Sequence, residues 1–364
     1  MYVFYKEKIE RNEMRILHVI TSLEIGGAQR LLTDLLPLQA TSEDVTLLVY
    51  ERVHNNFEKT LEQEGIKILC LDEHNFHNPA VIFRLRRIFN AYDLVHAHLF
   101  PTIYWVSLAA RGLNVKLVYT EHSTSNSRRN KWYFRPVERF MYDRYNKVIS
   151  ISKQTQEALT SWLGQHDDRF VVINNGVDTN KFASVNVPVV PKSLIMVSRF
   201  AASKDQETVI RAMQYIDKDA TLRFVGDGEN KPYCEALAKD LGVSDRIQFL
   251  GSCSDVPELV ASSCIGIQSS NWEGFGLTAV EIMACGKPVI ATNVDGLKQV
   301  VEGAGEIFNV GNAFELASRV NYLLSDNIYY QTMTEGCRQR AKVYDISVMS
   351  KKYLQLYKSL QLYE

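Results

Sequence analysis

The stretch Asn271-Trp272-Glu273-Gly274-Phe275-Gly276-Leu277-Thr278-Ala279-Val280-Glu281-Ile282-Met283-Ala284-Cys285-Gly286-Lys287-Pro288-Val289-Ile290 reads as a strand end, a glycine-rich loop, a short helix and a second strand. Gly274 and Gly276 let the loop fold tightly and bring its backbone close to a ligand. The pattern predicts a helix over Leu277–Cys285, with Leu277, Val280, Ile282 and Met283 as apolar positions and Gly286 and Pro288 as its stop. The start of such a helix offers unpaired N–H groups and a partial positive charge, which suits a phosphate. Glu273 in the loop and Glu281 in the helix place two carboxylates around one small volume. A carboxylate is a poor partner for phosphate but a strong acceptor for hydroxyls on whatever the phosphate carries. The simplest ligand with phosphates in the middle and hydroxyls at both ends is a sugar nucleotide. Taken alone, the Glu spacing fits a buried amphipathic helix with one exposed Glu equally well.

The neighbouring residues separate these readings. Glu-Gly-Phe-Gly-Leu-Thr-Ala-Val-Glu at 273–281, then Met-Ala-Cys-Gly-Lys-Pro-Val-Ile-Ala-Thr at 283–292 and Gly296, resembles the retaining glycosyltransferases of family 4. The resemblance runs from Met14 to Tyr357 and is most specific in this motif. It implies the GT-B fold: two Rossmann-like, doubly wound parallel-sheet domains facing a cleft, the first holding an acceptor and the second a nucleotide.

The rest of the chain alternates short β-rich apolar runs with helical patterns, which predicts parallel sheets of βαβ units. Strands are expected at Arg15–Thr21, Asp44–Tyr50, Ile66–Leu71, Leu94–Ala97, Val115–Thr120, Lys147–Ile151 and Val171–Asn174, with the first helix at Ala28–Gln39. The run Val187-Pro-Val-Val-Pro-Lys192 resists helix and central strand alike and marks the interdomain linker. A second series follows at Leu194–Ser198, Leu222–Val225, Ile247–Leu250, Cys264–Gln268 and Val289–Ala291, with helices near Glu207–Met213, Tyr233–Leu241 and Asp255–Ser262. The expected division is 1–186, 187–345 and a C-terminal helix over 346–364, with 1–13 as a dispensable charged arm. Met349, Tyr353, Tyr357 and Leu360 give that helix one apolar face. By resemblance, it packs back on the first domain.

At 364 residues the chain suffices for two domains with separate cores. A net charge of −1 gives no reason to expect nucleic acid. Six cysteines without a Cys-x-x-Cys pair argue against zinc and suit a reducing cytoplasm. The first residues lack the apolar core of a signal peptide, and no run of about 18 apolar residues is present.

Other candidates lie at expected strand ends, where ligands of doubly wound sheets gather. Gly26-Gly27 opens the first helix and is either a ligand loop or an ordinary tight turn. Gly226-Asp227-Gly228 reads as turn chemistry. Arg199 and Lys204 follow the first strand of the second half, where two cations can neutralise a diphosphate or form a solvated basic loop. His96 and His98 share one strand face with Leu94, as half-buried hydrogen-bonded rings or, for His98 nearest the strand end, as a ligand contact. Glu121-His122 repeats the arrangement one strand on, towards the acceptor side. Asn175-Gly176-Val177-Asp178 reads as a structural turn, and Asp217-Lys218-Asp219 as a solvated turn rather than a metal site.

The resemblance implies a role for each. Glu281 binds ribose hydroxyls and Glu273 those of the donor sugar. Arg199, Lys204 and the N–H groups of Leu277 and Thr278 hold the leaving diphosphate, with Gly26, Gly27, Gly274, Phe275 and Gly276 around the donor. His98 lies beside the transferred sugar. No metal or other cofactor is expected, since protein cations cover the diphosphate, and no carboxylate matches a covalent nucleophile. The expected activity moves a sugar, with retention, from a nucleotide donor, UDP by family frequency, onto a glycan or lipid-linked acceptor in polysaccharide or glycoconjugate biosynthesis. A sugar-nucleotide epimerase, a phosphorylase and a non-catalytic sugar-nucleotide sensor share the fold; no lysine is identifiable for the pyridoxal phosphate of a phosphorylase.

Between Arg128 and Lys147, seven basic residues (Arg128, Arg129, Lys131, Arg135, Arg139, Arg144, Lys147) interleave with Trp132, Tyr133, Phe134, Phe140, Met141, Tyr142 and Tyr145. This fits a segment lying on an anionic membrane surface, or a helix with core-facing aromatics and solvated cations. Arg84, Arg86 and Arg87, beside Phe83 and Phe89, would extend the same face. The expected location is cytoplasmic, peripheral at the inner face of the membrane if that segment makes contact.

Overall fold

The computed structural model describes residues 13–361 except 25, 76, 77, 125 and 127. The expected N-terminal arm therefore lies outside the described residues apart from Glu13. Two units are present: one runs to Ile173 and resumes at Ser350, and the other spans Asn174–Met349.

In the first unit the strands are β1 (Arg15–Ile20), β2 (Asp44–Val49), β3 (Lys67–Cys70), β4 (Leu94–His98), β5 (Lys116–Glu121), β6 (Lys147–Ser150) and β7 (Phe170–Val172). They form a parallel sheet in the order β3-β2-β1-β4-β5-β6-β7. β1 is buried after Arg15 and β4 is buried throughout, as expected where helices cover both faces of a parallel sheet. One side packs Leu17, Val19, Val95, Ala97 and Tyr119 against helix residues that include Leu85, Phe89, Val106 and Leu159.

In the second unit β8 (Ser193–Val197), β9 (Thr221–Val225), β10 (Ile247–Phe249), β11 (Ile265–Gln268), β12 (Val289–Thr292) and β13 (Glu306–Phe308) form a parallel sheet ordered β10-β9-β8-β11-β12-β13. Leu194, Met196, Leu222, Phe224, Ile265 and Ile267 anchor its core. Strand order reverses between β1 and β4 in one sheet and between β8 and β11 in the other. A crevice opens outside the carboxyl ends of the strands at such a reversal, and ligands bind there.

The division differs from the expected one. The Pro-rich stretch near 187–192 lies within the second unit, where the Val190 N–H donates to the Ser262 carbonyl at 2.8 Å. The break falls at Ile173/Asn174, because the chain leaves β7 and immediately pairs with the far end of the sequence. The Val177 N–H donates to the Tyr344 carbonyl and the Ile346 N–H to the Val177 carbonyl, both at 2.9 Å. Asp178 then caps the helix Thr179–Ala183, so Asn175–Asp178 is a turn of the second unit rather than the close of the first.

The last helix, Ile346–Gln361, starts in the second unit and ends in the first. Its expected face is buried: Met349, Tyr353, Tyr357 and Leu360 are each 9 % exposed or less. Tyr357 bonds His96 and Tyr353 bonds Thr120, both within the first unit.

Candidate active site

In the second unit the loops after β8 and β11 meet at the point where strand order reverses. The Asn271 N–H donates to the Ser203 carbonyl at 2.9 Å, Asn271 Nδ2 to the Ala202 carbonyl at 3.0 Å, and Ser269 Oγ to Asp205 Oδ2 at 3.1 Å. These bonds set Lys204 against the loop before the helix, where its Nζ pairs with Glu273 Oε2 and donates to Ser270 Oγ at 3.2 Å. An ammonium has three N–H donors, so one remains for an anionic ligand. Glu273 Oε1 accepts from the Gly274 N–H at 3.0 Å, and lone pairs remain on both carboxylate oxygens for hydroxyl donors. Arg199 is exposed, and no carboxylate among the described residues pairs with its guanidinium. The sequence assigned Lys204 to phosphate and Glu273 to sugar hydroxyls; the structure joins them as one ion pair.

The helix that follows spans Leu277–Ala284, with Gly276 before it in the left-handed region (φ +90, ψ 44) and no side chain capping its first N–H groups. A Cβ on Gly276 would also lie 2.7 Å from Leu297 Cδ2, so any other residue would strain the backbone here and push that side chain aside. Leu277 and Thr278 therefore open an uncapped helix start, with the positive end of the helix dipole there. Glu281 lies one turn further and is buried, which disposes of the exposed-Glu alternative. Phe275 packs edge-on against Tyr344 at 5.4 Å and holds the loop. At Gly226 the φ is +132 and a Cβ would lie 2.1 Å from the Ser198 carbonyl oxygen, so the backbone there needs glycine. Asp217 and Asp219 both pair with Lys192, away from these loops.

In the first unit Gly26-Gly27 follows β1 and opens the helix Gly27–Gln39, at the other strand-order reversal. His98 ends β4 beside it. The structure differs from expectation here, because His98 is fully buried and both its ring nitrogens are engaged. His98 Nε2 lies 3.0 Å from His18 Nδ1, and His98 Nδ1 lies 3.3 Å from His122 Nε2. His122, half-buried after β5, is the ring at the accessible end. His18 was missed: it sits on β1 in register with His96, and its Nε2 lies 2.9 Å from Gln39 Oε1. His96 bonds Tyr357 at 2.6 Å and Thr120 at 2.7 Å. Burial lowers the pKa of all four histidines, to about 4 for His18 and His122. They are neutral at pH 7. His18, His96 and His98 bring nitrogens within 4.8 Å of one another, but every nitrogen of the three already has a hydrogen-bond partner. A metal ion would have to displace those bonds.

Glu121 is buried rather than facing a ligand, held by Arg129 at 2.8 Å and the Tyr142 hydroxyl at 2.7 Å. Arg128 pairs with buried Glu138 at 2.8 Å and stacks over Phe100. These two cations thus belong to the structure and not to a free basic face. The apolar side chains divide: Met141, Tyr142 and Tyr145 are buried, whereas Trp132, Tyr133 and Phe140 are exposed, Trp132 by 82 %.

Two family models cover nearly all of this architecture. The model "Glycosyltransferase Family 4" matches residues 25–181, and "Glycosyl transferases group 1" matches 177–340. The chain belongs to glycosyltransferase family 4. Among family relatives, the N-acetyl-alpha-D-glucosaminyl L-malate synthase of Bacillus anthracis is 35 % identical over 173 residues, 46 % of this chain and 45 % of that enzyme. The chain thus aligns with less than half of that relative's length. The D-inositol 3-phosphate glycosyltransferase of Corynebacterium urealyticum is 27 % identical over 312 residues, 74 % of this chain and 72 % of that one. In fold the chain is similar to Anabaena HepE, solved in complex with UDP and glucose, with a TM-score of 0.82, 23 % identity, 95 % of this chain covered and 100 % of that one. Both units are Rossmann-like, as in GT-B family members.

Proposed function

We propose that this chain transfers a sugar from a nucleotide donor, a UDP-sugar, to a hydroxyl of a glycan or lipid-linked acceptor, retaining the anomeric configuration and needing no metal. The observation that carries the reading is the Lys204–Glu273 pair beside the Gly276-opened helix, at the strand-order reversal of the second unit. There a cation with one N–H to spare and uncapped amides would hold a leaving diphosphate, with Arg199, on the loop after β8, as a second cation for it. Negative charge develops on that diphosphate in the transition state, and preorganised donors aimed at it lower the barrier. Glu273 takes donor-sugar hydroxyls and Glu281 the ribose. The UDP assignment draws on the HepE complex with UDP and glucose.

In this mechanism the bond from the anomeric carbon to the leaving phosphate oxygen breaks as the acceptor oxygen approaches the same face. That phosphate oxygen takes the acceptor's proton, so no protein carboxylate forms a covalent bond. The strand ends of the first unit, with His98 and His122, serve the acceptor. Trp132, Tyr133, Val137 and Phe140, exposed beside Lys131, Arg135 and Arg139, would hold the chain at an anionic membrane bearing a lipid-linked acceptor.

A thermal-shift screen of nucleoside diphosphates and sugar nucleotides tests the donor assignment. A true ligand at about 100 times its Kd adds roughly 2.7 kcal/mol to the folded state. If no nucleotide shifts the transition, the reading fails; donor turnover without any acceptor would favour the epimerase. Activity that EDTA abolishes and magnesium restores would overturn metal independence.

A further inference from the structure

A hydrogen-bonded line runs through the first unit from Gln39 to His18, His98 and His122, at 2.9, 3.0 and 3.3 Å between successive polar atoms. A neutral imidazole carries one N–H and one lone pair, so such a line has two registers. Either every ring donates from Nε2 and points its N–H towards Gln39, or every ring donates from Nδ1 and points away. His122 ends the line, and its Nδ1 accordingly displays a bare lone pair or an N–H.

Two contacts decide the register. Gln39 presents its carbonyl oxygen to His18 Nε2, which calls for an N–H on that nitrogen. The second is Tyr357, whose hydroxyl lies 2.6 Å from His96 Nδ1. A phenol is the better donor and an imidazole the better acceptor, so Tyr357 donates to His96. His96 is left with its N–H on Nε2, facing Thr120 Oγ1 at 2.7 Å.

We propose that Gln39 and Tyr357 are positioning residues that lock His18, His96, His98 and His122 as Nε2–H tautomers, so that His122 offers a bare Nδ1 lone pair to a substrate hydroxyl. The role of His122 rests on the reading above that the first unit's strand ends take a hydroxyl-bearing acceptor; the tautomers do not. His98, buried with both nitrogens used, acts through His122. The C-terminal helix thereby sets the polarity of a group on a strand more than two hundred residues away in sequence.

Imidazole ¹H–¹⁵N correlation spectra of the full chain near neutral pH test the tautomers without any substrate. All four rings should show N–H on Nε2. Gln39→Met, which keeps the length and removes the amide, should mix the tautomers of His18, His98 and His122. Tyr357→Phe should do the same at His96. In a transfer assay Gln39→Met should lower kcat/KM for the acceptor about two- to tenfold, the worth of one hydrogen bond, with donor KM unchanged. Nδ1–H at His98 or His122 in the wild type, or Gln39→Met tautomers identical to wild type, would overturn the proposal. Correct tautomers with no sugar transfer would instead count against the functional reading alone.

Discussion

Lowering the pH from 7.5 to 5 should loosen the first unit through its buried histidines. His18 is fully buried, and burial holds its pKa near 4, against 6.5 for an exposed histidine. In the window between these values the unfolded chain binds a proton that the folded chain refuses. Stability is therefore complete above pH 6.5 and is lost as the pH falls towards 4. Each pH unit in that window is worth about 1.4 kcal/mol, so His18 alone costs about 2 kcal/mol at pH 5. His96 and His98 are lowered too, first by burial and then by neighbouring histidines, and act with the same sign. With a urea dependence of about 2 kcal/mol per molar, His18 by itself shifts the midpoint by about 1 M. Equilibrium urea unfolding at both pH values, read by hydrogen exchange at the β1 and β4 amides, measures the effect. Unchanged protection of those amides within about 0.5 kcal/mol, or a loss confined to the second unit, would refute the reasoning.

Lys204→Ala should lower kcat by on the order of 10²- to 10³-fold in a sugar-transfer assay, because one preorganised charge-stabilising group is lost. Wild-type turnover would remove Lys204 from the phosphate clamp. Gly276→Ala combines a left-handed backbone with a clash on Leu297 and should destabilise the second unit by about 1–3 kcal/mol, seen as a lower melting temperature and weaker donor binding. Sedimentation with anionic liposomes should be salt-sensitive and weakened by Lys131→Glu, Arg135→Glu and Arg139→Glu combined, or by Trp132→Ser with Phe140→Ser. Arg128 and Arg129 are unsuitable for that test, because their replacement strands buried Glu138 and Glu121. Equal binding by these variants and wild type would end the membrane reading.

The loop and helix of the second unit were legible because their signals are local. Gly276, Leu277 and Glu281 are adjacent in sequence, and the helix ends within one residue of the expected Cys285. The first half hides its polar centre. His18 sits inside an otherwise apolar strand, where a single histidine reads as core, and its partners come from a helix end, a neighbouring strand and a tyrosine near the far end of the chain. No window of sequence contains them together. The cations Arg128 and Arg129 misled for the opposite reason: their composition suggested an open face, while their acids lie ten residues ahead and eight behind. β13 escaped notice as three residues at a sheet edge. The linker was misplaced because prolines mark irregular chain wherever it falls, whereas the break is set by Val177 pairing with Tyr344 and Ile346.

The helix Ile346–Gln361 has a consequence for synthesis. Domains ordinarily fold in the order they leave the ribosome, at roughly 5–20 residues per second. Here the first sheet is complete at β7, yet His96 and Thr120 wait for Tyr357 and Tyr353, made after the entire second unit. The nascent first unit thus spends roughly ten to forty seconds with those polar groups lacking their final partners and the seat of the helix uncovered. The half made first is the half finished last, and a ribosome-bound chain stopped before Ser350 should be the form a chaperone holds.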